Sequence, residues 1–536
     1  MNPPNNFKGI DVILANMKKH FLFLVLLCEA LFTEGQSRQM YEATDEKGNV
    51  IMKGTYFNGL EDSLWKYYEN GKLTEESWYF MGKLHGSSVK YYDSGQPMIK
   101  AYFTLGEQDS THTLLSKSGA VLERGQFNKG KRVGIWENFD DQGNLARREE
   151  YVDAELKVWE VCENRVCGVT NGNGVELIKD NGRVVIKQQY QNGVLDGPFT
   201  EYYSTGMVKV SGSYLKGQKD DAWEAFYING NPKELIVYSS GLLDGEIMQW
   251  DSDGDTILSG LHFQGGKHGT WKWFYQSGLK EMEGSFLADA QHGKWTYYYT
   301  NGQISEEGLY EKGNRKGEWK FYYKDGAPWR VGNYDDNKKN GYWITYFESG
   351  QVLHDGHFQN DLEEGHWVSY YENGKKMDEG SFRKGKMNGD WEGYHVNGYS
   401  KYKGHWTDNV KSGTWTYWNE KGIPEKTESY NLLGELHGLN IMYNPAGKPI
   451  SEGNFKEGKP DGSWIYRYPY GATLRTCTYK DGQLHGELKQ FGEKGKLIEV
   501  SHYKDGKKHG KEIRYDEKTG KELKRTYYKN GEKLRG

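Results

Sequence analysis

Three stretches of this chain, residues 125–131, 380–386 and 453–459, have the spacing Gly-x4-Gly-Lys that opens a phosphate-cradling loop. Such a loop needs a Ser or Thr hydroxyl directly after the lysine, and a helix behind it. The residues that follow are Arg132, Met387 and Pro460, and no helical periodicity succeeds any of them, so nucleotide binding is not implied. Asp251, Asp253 and Asp255 in DSDGD alternate as calcium-ligating carboxylates do. The glycine, however, stands at the fourth position and the twelfth residue is His262 where a calcium loop carries Glu. These three remain a weak calcium candidate, and a plain Asp-Gly turn is the expected structure.

His85, His268, His292, His437, His485 and His509 each precede a glycine at equivalent points of a recurring pattern. A catalytic or metal role would demand the same chemistry many times over, so they read as turn residues. The carboxylate pairs Glu306/Glu307, Asp335/Asp336 and Glu363/Glu364 fall at strand ends and connections, where solvent argues against acid–base work. No nucleophile constellation appears. Of four cysteines, Cys162 and Cys167 are the only close pair, and no second pair completes a zinc site. In an exported chain they are expected to form a local disulfide.

The elements that must carry these residues are set by a repeat. Glycines recur every 24 residues at Gly245, Gly269, Gly293, Gly317, Gly341, Gly365, Gly389 and Gly413, and after one 25-residue step at Gly438, Gly462, Gly486 and Gly510. Most open Gly-x-Trp and an aromatic run, with Trp271 and Tyr275, Trp295 and Tyr299, Trp319 and Tyr323, Trp343 and Trp367 in successive copies. An x-Gly dipeptide such as Asn301-Gly302 or Asp325-Gly326 follows, the chemistry of a tight hairpin turn. A second strand ends in Gly-x-aromatic, as at Gly308-Leu309-Tyr310, and a polar connection returns to the next glycine. Alternation along the aromatic runs sends successive rings to opposite faces. The named Trp and Tyr residues are therefore candidates for a ring-lined surface that takes a peptide, sugar rings or lipid headgroups, as well as for a shared core.

Burying one Trp yields roughly 4–6 kcal/mol gross, while ordering 24 residues costs on the order of 24–48 kcal/mol, so no unit stands without its neighbours. Composition agrees: 41 Tyr, 20 Phe, 18 Trp and 70 Gly against 36% hydrophobic residues describe rings on short strands between turns. With 70 basic and 75 acidic residues the net charge of −5 sets up no field for nucleic acid. Residues 17–37 read as a secretory signal, with Lys18 and Lys19 before an apolar run too short to span a bilayer. Met17 is the expected start, Cys28 is a lipidation candidate, and the mature chain is expected to be exported without a transmembrane segment.

The pattern Gly-x-Trp-x-x-Tyr-Tyr-x-x-Gly followed by Gly-x-Tyr/Phe-x-x-Gly-Lys-x-x-Gly resembles the variant MORN repeat, including bacterial antitoxin-type proteins that carry it. Residues 380–389, GSFRKGKMNG, and 453–462, GNFKEGKPDG, show its second half. The resemblance implies an all-β, elongated single-layer antiparallel sheet of tandem hairpins and a binding or scaffolding role. Asn440, Leu488 and Glu512 replace Trp in late units, which are expected to pack less tightly. The expected organisation is a leader over 1–36, repeats over 37–151, an irregular unit over 152–174 and repeats over 175–536. The function expected is a non-enzymatic scaffold without cofactor, binding a protein or cell-envelope partner; glycan, lipid-headgroup or antitoxin-type binding are the alternatives.

Overall fold

The structure, a computed structural model, describes residues 38–153 and 155–534. The leader, with Met17 and Cys28, lies outside the described residues. Forty-five strands and the turns between them account for the described chain, with no helix among the described residues. Lys280–Leu287 pairs antiparallel with Gly266–Phe274 on one side and with Ala290–Tyr298 on the other, and the same arrangement recurs along the chain. This is the all-β hairpin array that the sequence implied.

The turns fall differently from expectation. The x-Gly dipeptides after the aromatic runs do not form two-residue loops. Tyr299 N–H donates to the Gln303 carbonyl and Gly302 N–H to the Tyr299 carbonyl, and of the loop residues only Gly302 has positive φ. This is a longer loop closed by one left-handed glycine, and it leaves a bulge between Tyr297 and Tyr298. The two-residue turns lie at the polar connections instead. Lys312-Gly313 and Asp336-Asn337 have φ of 51° and 84°, and 51° and 65°, the conformation that Gly, Asn and Asp tolerate.

The glycine of Gly-x-aromatic has ordinary extended geometry and a different purpose. A Cβ on Gly332 would lie 2.0 Å from Cδ2 of Trp343, and on Gly308 2.2 Å from Cδ2 of Trp319. The indole lies flat in the space a side chain would fill. Where Trp is replaced, its partner is larger: Leu488 lies beside Cys477, Ile247 faces Ile236, Ser88 faces Ser77 and Glu512 faces Ser501. Leu488 and Glu512 are nevertheless only 7% and 5% exposed, so the positions that lost Trp stay inside. Asn440 is buried too, with an unpartnered Oδ1.

The chain forms two compact units. The first comprises the described residues up to Glu176 with Tyr190–Val194, and so takes in the irregular stretch 152–174; the second comprises Leu177–Gln189 and the residues from Leu195 onward. In the first unit Cys162 and Cys167 are cross-strand partners joined by a disulfide around the turn residues Asn164 and Arg165. Nearby, Arg147 donates to Glu149 (2.5 Å) and to Glu176, whose other oxygen accepts the Tyr190 hydroxyl (3.0 Å). Although burial opposes it, the two carboxylates hold the Arg147 proton above the ordinary arginine range.

Candidate functional site

Trp271, Trp295, Trp319, Trp343 and Trp367 are between 0% and 9% exposed, so the ring-lined surface expected from the sequence is not built from them. Each indole N–H donates to the backbone carbonyl ten residues earlier, at 3.0–3.1 Å, as from Trp319 to Leu309 and from Trp343 to Asn333. The rings are the core. Tyr310 and Tyr334 meet Trp319 and Trp343 edge-on with centroids 5.1 Å apart, a favoured aromatic geometry.

Tyr275, Tyr299 and Tyr323 are half-buried and serve as latches. Their hydroxyls donate to the carbonyls of Tyr298, Tyr322 and Tyr346, each 23 residues on, at 2.7–2.8 Å. Phenylalanine at 299 keeps the ring and loses the bond. Tyr299→Phe is expected to cost about 0.5–1.5 kcal/mol, read as faster amide exchange in the strand Asn314–Tyr322 and its following loop. Unchanged exchange there would mean that the ring alone holds the junction.

Long cations cover the Trp face. Lys267, Arg315, Lys339 and Lys411 place their charge 4.6, 4.1, 5.1 and 4.5 Å from the ring centroids of Trp271, Trp319, Trp343 and Trp415. Glu306 lies on this face beside Arg315 (2.9 Å), and burial raises its carboxyl above the usual range. Glu307 points the other way, and its hydrogen bond from Lys294 holds it below that range. The alternation of the strand separates the two carboxylates, so they form no acid–base pair, and solvent does not leave them ordinary as the sequence suggested.

The opposite face carries a ladder of tyrosine-to-glutamate bonds: Tyr298 to Glu283 at 2.7 Å, Tyr322 to Glu307 at 3.0 Å and Tyr394 to Glu379 at 2.8 Å. Directly before the buried Trp of six successive copies stands an exposed residue whose chemistry changes from copy to copy: Lys294, Glu318, Tyr342, His366, Asp390 and Thr414.

The other candidates prove architectural. Asp251 Oδ1 accepts the backbone N–H groups of Asp253, Gly254 and Asp255, making the turn that was the expected reading, and the described residues hold no cluster of three or more metal-ligating side chains. His85 and His509 accept the N–H groups of Leu105 and Asn530 in the next copy's turn, both at 3.3 Å. In the three Gly-x4-Gly-Lys stretches the first glycine faces Trp136, Trp391 or Trp464 in a strand, and the second closes a two-residue turn. One group escaped the sequence reading: Trp329, Arg330, Lys339 and His354, which line a single cleft on the Trp face.

A family profile described as MORN repeat variant matches residues 195–216, 267–286, 291–312, 315–336, 339–360, 363–384, 436–457 and 484–505. No curated protein is matched. Solved structures of TcdB2-TccC3-Cdc42 and TcdB2-TccC3-TEV are similar at 10% and 11% identity, over 89% and 93% of this chain and 28% and 32% of theirs, with TM-scores of 0.12 and 0.11. The chain thus spans about a third or less of the length of those structures.

Proposed function

We propose, from the premise that this chain is a MORN-repeat protein of the variant type, that it is a non-catalytic scaffold whose face opposite the buried Trp row binds a protein partner at the cell envelope or outside the cell. The observation that carries this reading is the division of labour within one copy. Inward positions recur as Trp, Gly and the latching Tyr, whereas the exposed position before each Trp runs through Lys294, Glu318, Tyr342, His366 and Asp390. A surface that reads one small repeating ligand needs the same residues in every copy. A surface fitted to an irregular partner needs different ones, held in fixed places by a constant interior.

Export is supported by the leader-like residues 17–37 and by the Cys162–Cys167 disulfide, a bond that persists in oxidising compartments. Fractionation with sequencing of the mature N-terminus tests it, and an intact Met17 in the cytosol overturns it. For the face itself, a photo-crosslinking residue at 342 is expected to capture one protein saturably from envelope material. Replacing Lys294, Glu318 and His366 together by serine should abolish that capture and leave the thermal midpoint unmoved. Capture indifferent to those changes, or saturable binding of a glycan or of headgroup-bearing vesicles at the same face, defeats the reading and favours the alternatives.

A further inference from the structure

The cleft on the Trp face between 329 and 367 joins two successive copies with a basic side chain at a position where Lys426 and Arg475 stand singly elsewhere. Two positions before the strand glycine, neighbouring copies carry Met282, Glu306 and Asp378, while the two copies between the last of these carry Arg330 and His354. Lys339 stands between them on Lys338–Tyr346, and Trp343, Phe358 and Trp367 form the floor. Arg330 pairs with Phe321 and Pro328 with Tyr322, so Trp329 is the extra residue of a bulge. It turns back onto this face with its ring 6.2 Å from Phe321, and stays 37% exposed at the rim.

Two cations, Arg330 and Lys339, and the His354 imidazole therefore share one apolar recess, and none of the three forms an ion pair with a carboxylate among the described residues. Glu306 is taken by Arg315, while Asp355 and, from the next hairpin, Asp361 and Glu363 act on Lys339 and His354 only at longer range. The Arg330 guanidinium lies 4.4 and 4.5 Å from the Phe321 and Trp329 centroids, and its Nε is buried without a hydrogen-bond acceptor. Burial pushes Arg330 and Lys339 below their usual ranges, the mark of charge without compensation, and lowers His354 likewise, which favours its neutral imidazole.

We infer that this cleft binds a carboxylate presented on a peptide, the Asp or Glu side chain of an acidic segment, between Arg330, Lys339 and His354, with the stem of that residue against Trp329 and Trp343. The recess of about 280 Å³ falls at the small end of ligand pockets and suits one side chain rather than a nucleotide. The planar fork of Arg330 matches a carboxylate, and the guanidinium has no protein carboxylate to give up before it takes one. An acidic sugar fits less well. Apart from the cations the lining offers one hydroxyl, that of Thr345, and the hydroxyls of a sugar would go unpaired against rings.

Titrating the full chain with an acetylated (Gly-Glu)4 amide, followed by tryptophan emission and calorimetry, tests the assignment. The Glu peptide is expected to bind, more weakly as salt rises, and the (Gly-Gln)4 peptide at least about tenfold less tightly. Arg330→Gln and, as a second variant at the rim, Trp329→Ser are each expected to weaken it about tenfold or more with far-ultraviolet dichroism unchanged, while Lys294→Gln on the opposite face leaves it alone. Equal binding of the two peptides, indifference of a folded Trp329→Ser protein, or binding by glucuronate oligomers alone overturns it. Because Lys294, Glu318 and His366 lie on the other face, loss of partner capture there and loss of peptide binding here are separate results.

Discussion

Replacing Gly332 by valine is expected to remove about 3–5 kcal/mol of stability from the copies around it, the scale of losing a buried Trp, because the new Cβ would stand 2.0 Å from the Trp343 indole. The ring has no route of retreat. It is 2% exposed, tied by its N–H to the Asn333 carbonyl at 3.1 Å, and met edge-on by Tyr334. Either the strand Pro328–Asp335 leaves its partner or the indole leaves the core. Gly350 is the control: its φ is +83° and nothing lies within 4 Å of a Cβ there, so Gly350→Ala costs only the left-handed backbone term of about 1–2 kcal/mol. Amide exchange across 328–346 reads the difference locally, as it must in an array whose copies open by neighbours. The sharper test is a double substitution that copies the native pair Cys477 and Leu488. Gly332→Cys alone is damaging, whereas Gly332→Cys with Trp343→Leu should be less damaging than the sum of the two by at least about 1 kcal/mol. Strict additivity would show that the two positions do not share one space.

That pairing explains what was legible beforehand. The 24-residue period, the paired strands and the hairpin architecture could be read because Trp and Gly are chemically unambiguous and recur in phase. The side of the sheet on which Trp lies was not read, since alternation alone assigns two faces without saying which is interior. The signal was nevertheless present: a glycine stands eleven residues before Trp271, Trp295, Trp319, Trp343 and Trp367 alike. The tight turns were misplaced because Asn301-Gly302 has the composition of a two-residue loop, whereas Asp336-Asn337 has its geometry without glycine. The tyrosine latches depend on a carbonyl 23 residues away, which no local pattern reveals. The Arg330 cleft arises where two successive copies carry Arg and His in place of the Met282, Glu306 or Asp378 of their neighbours, and a search for what recurs passes over what does not.

The first unit holds a junction of a different kind, where a buried ionic cluster occupies the place of rings. Glu149 faces Trp136 across the strand pair, and Glu149 and Glu176 are 8% and 6% exposed with Arg147 between them. Arg147→Leu is therefore expected to cost about 3–5 kcal/mol, mostly through two buried carboxylates left without their cation. Amide exchange over Leu145–Val152 and Glu155–Glu163 should rise together, while the second unit's Trp-bearing strands remain protected. The origin of the loss can be separated from packing. If uncompensated charge is the cause, adding Glu149→Gln and Glu176→Gln to Arg147→Leu restores part of the stability, since removing a whole buried ion cluster is far less costly than removing one partner. If the triple variant is no more stable than the single one, the guanidinium acts there through its shape and its hydrogen bonds, and the cluster is held by geometry rather than by charge.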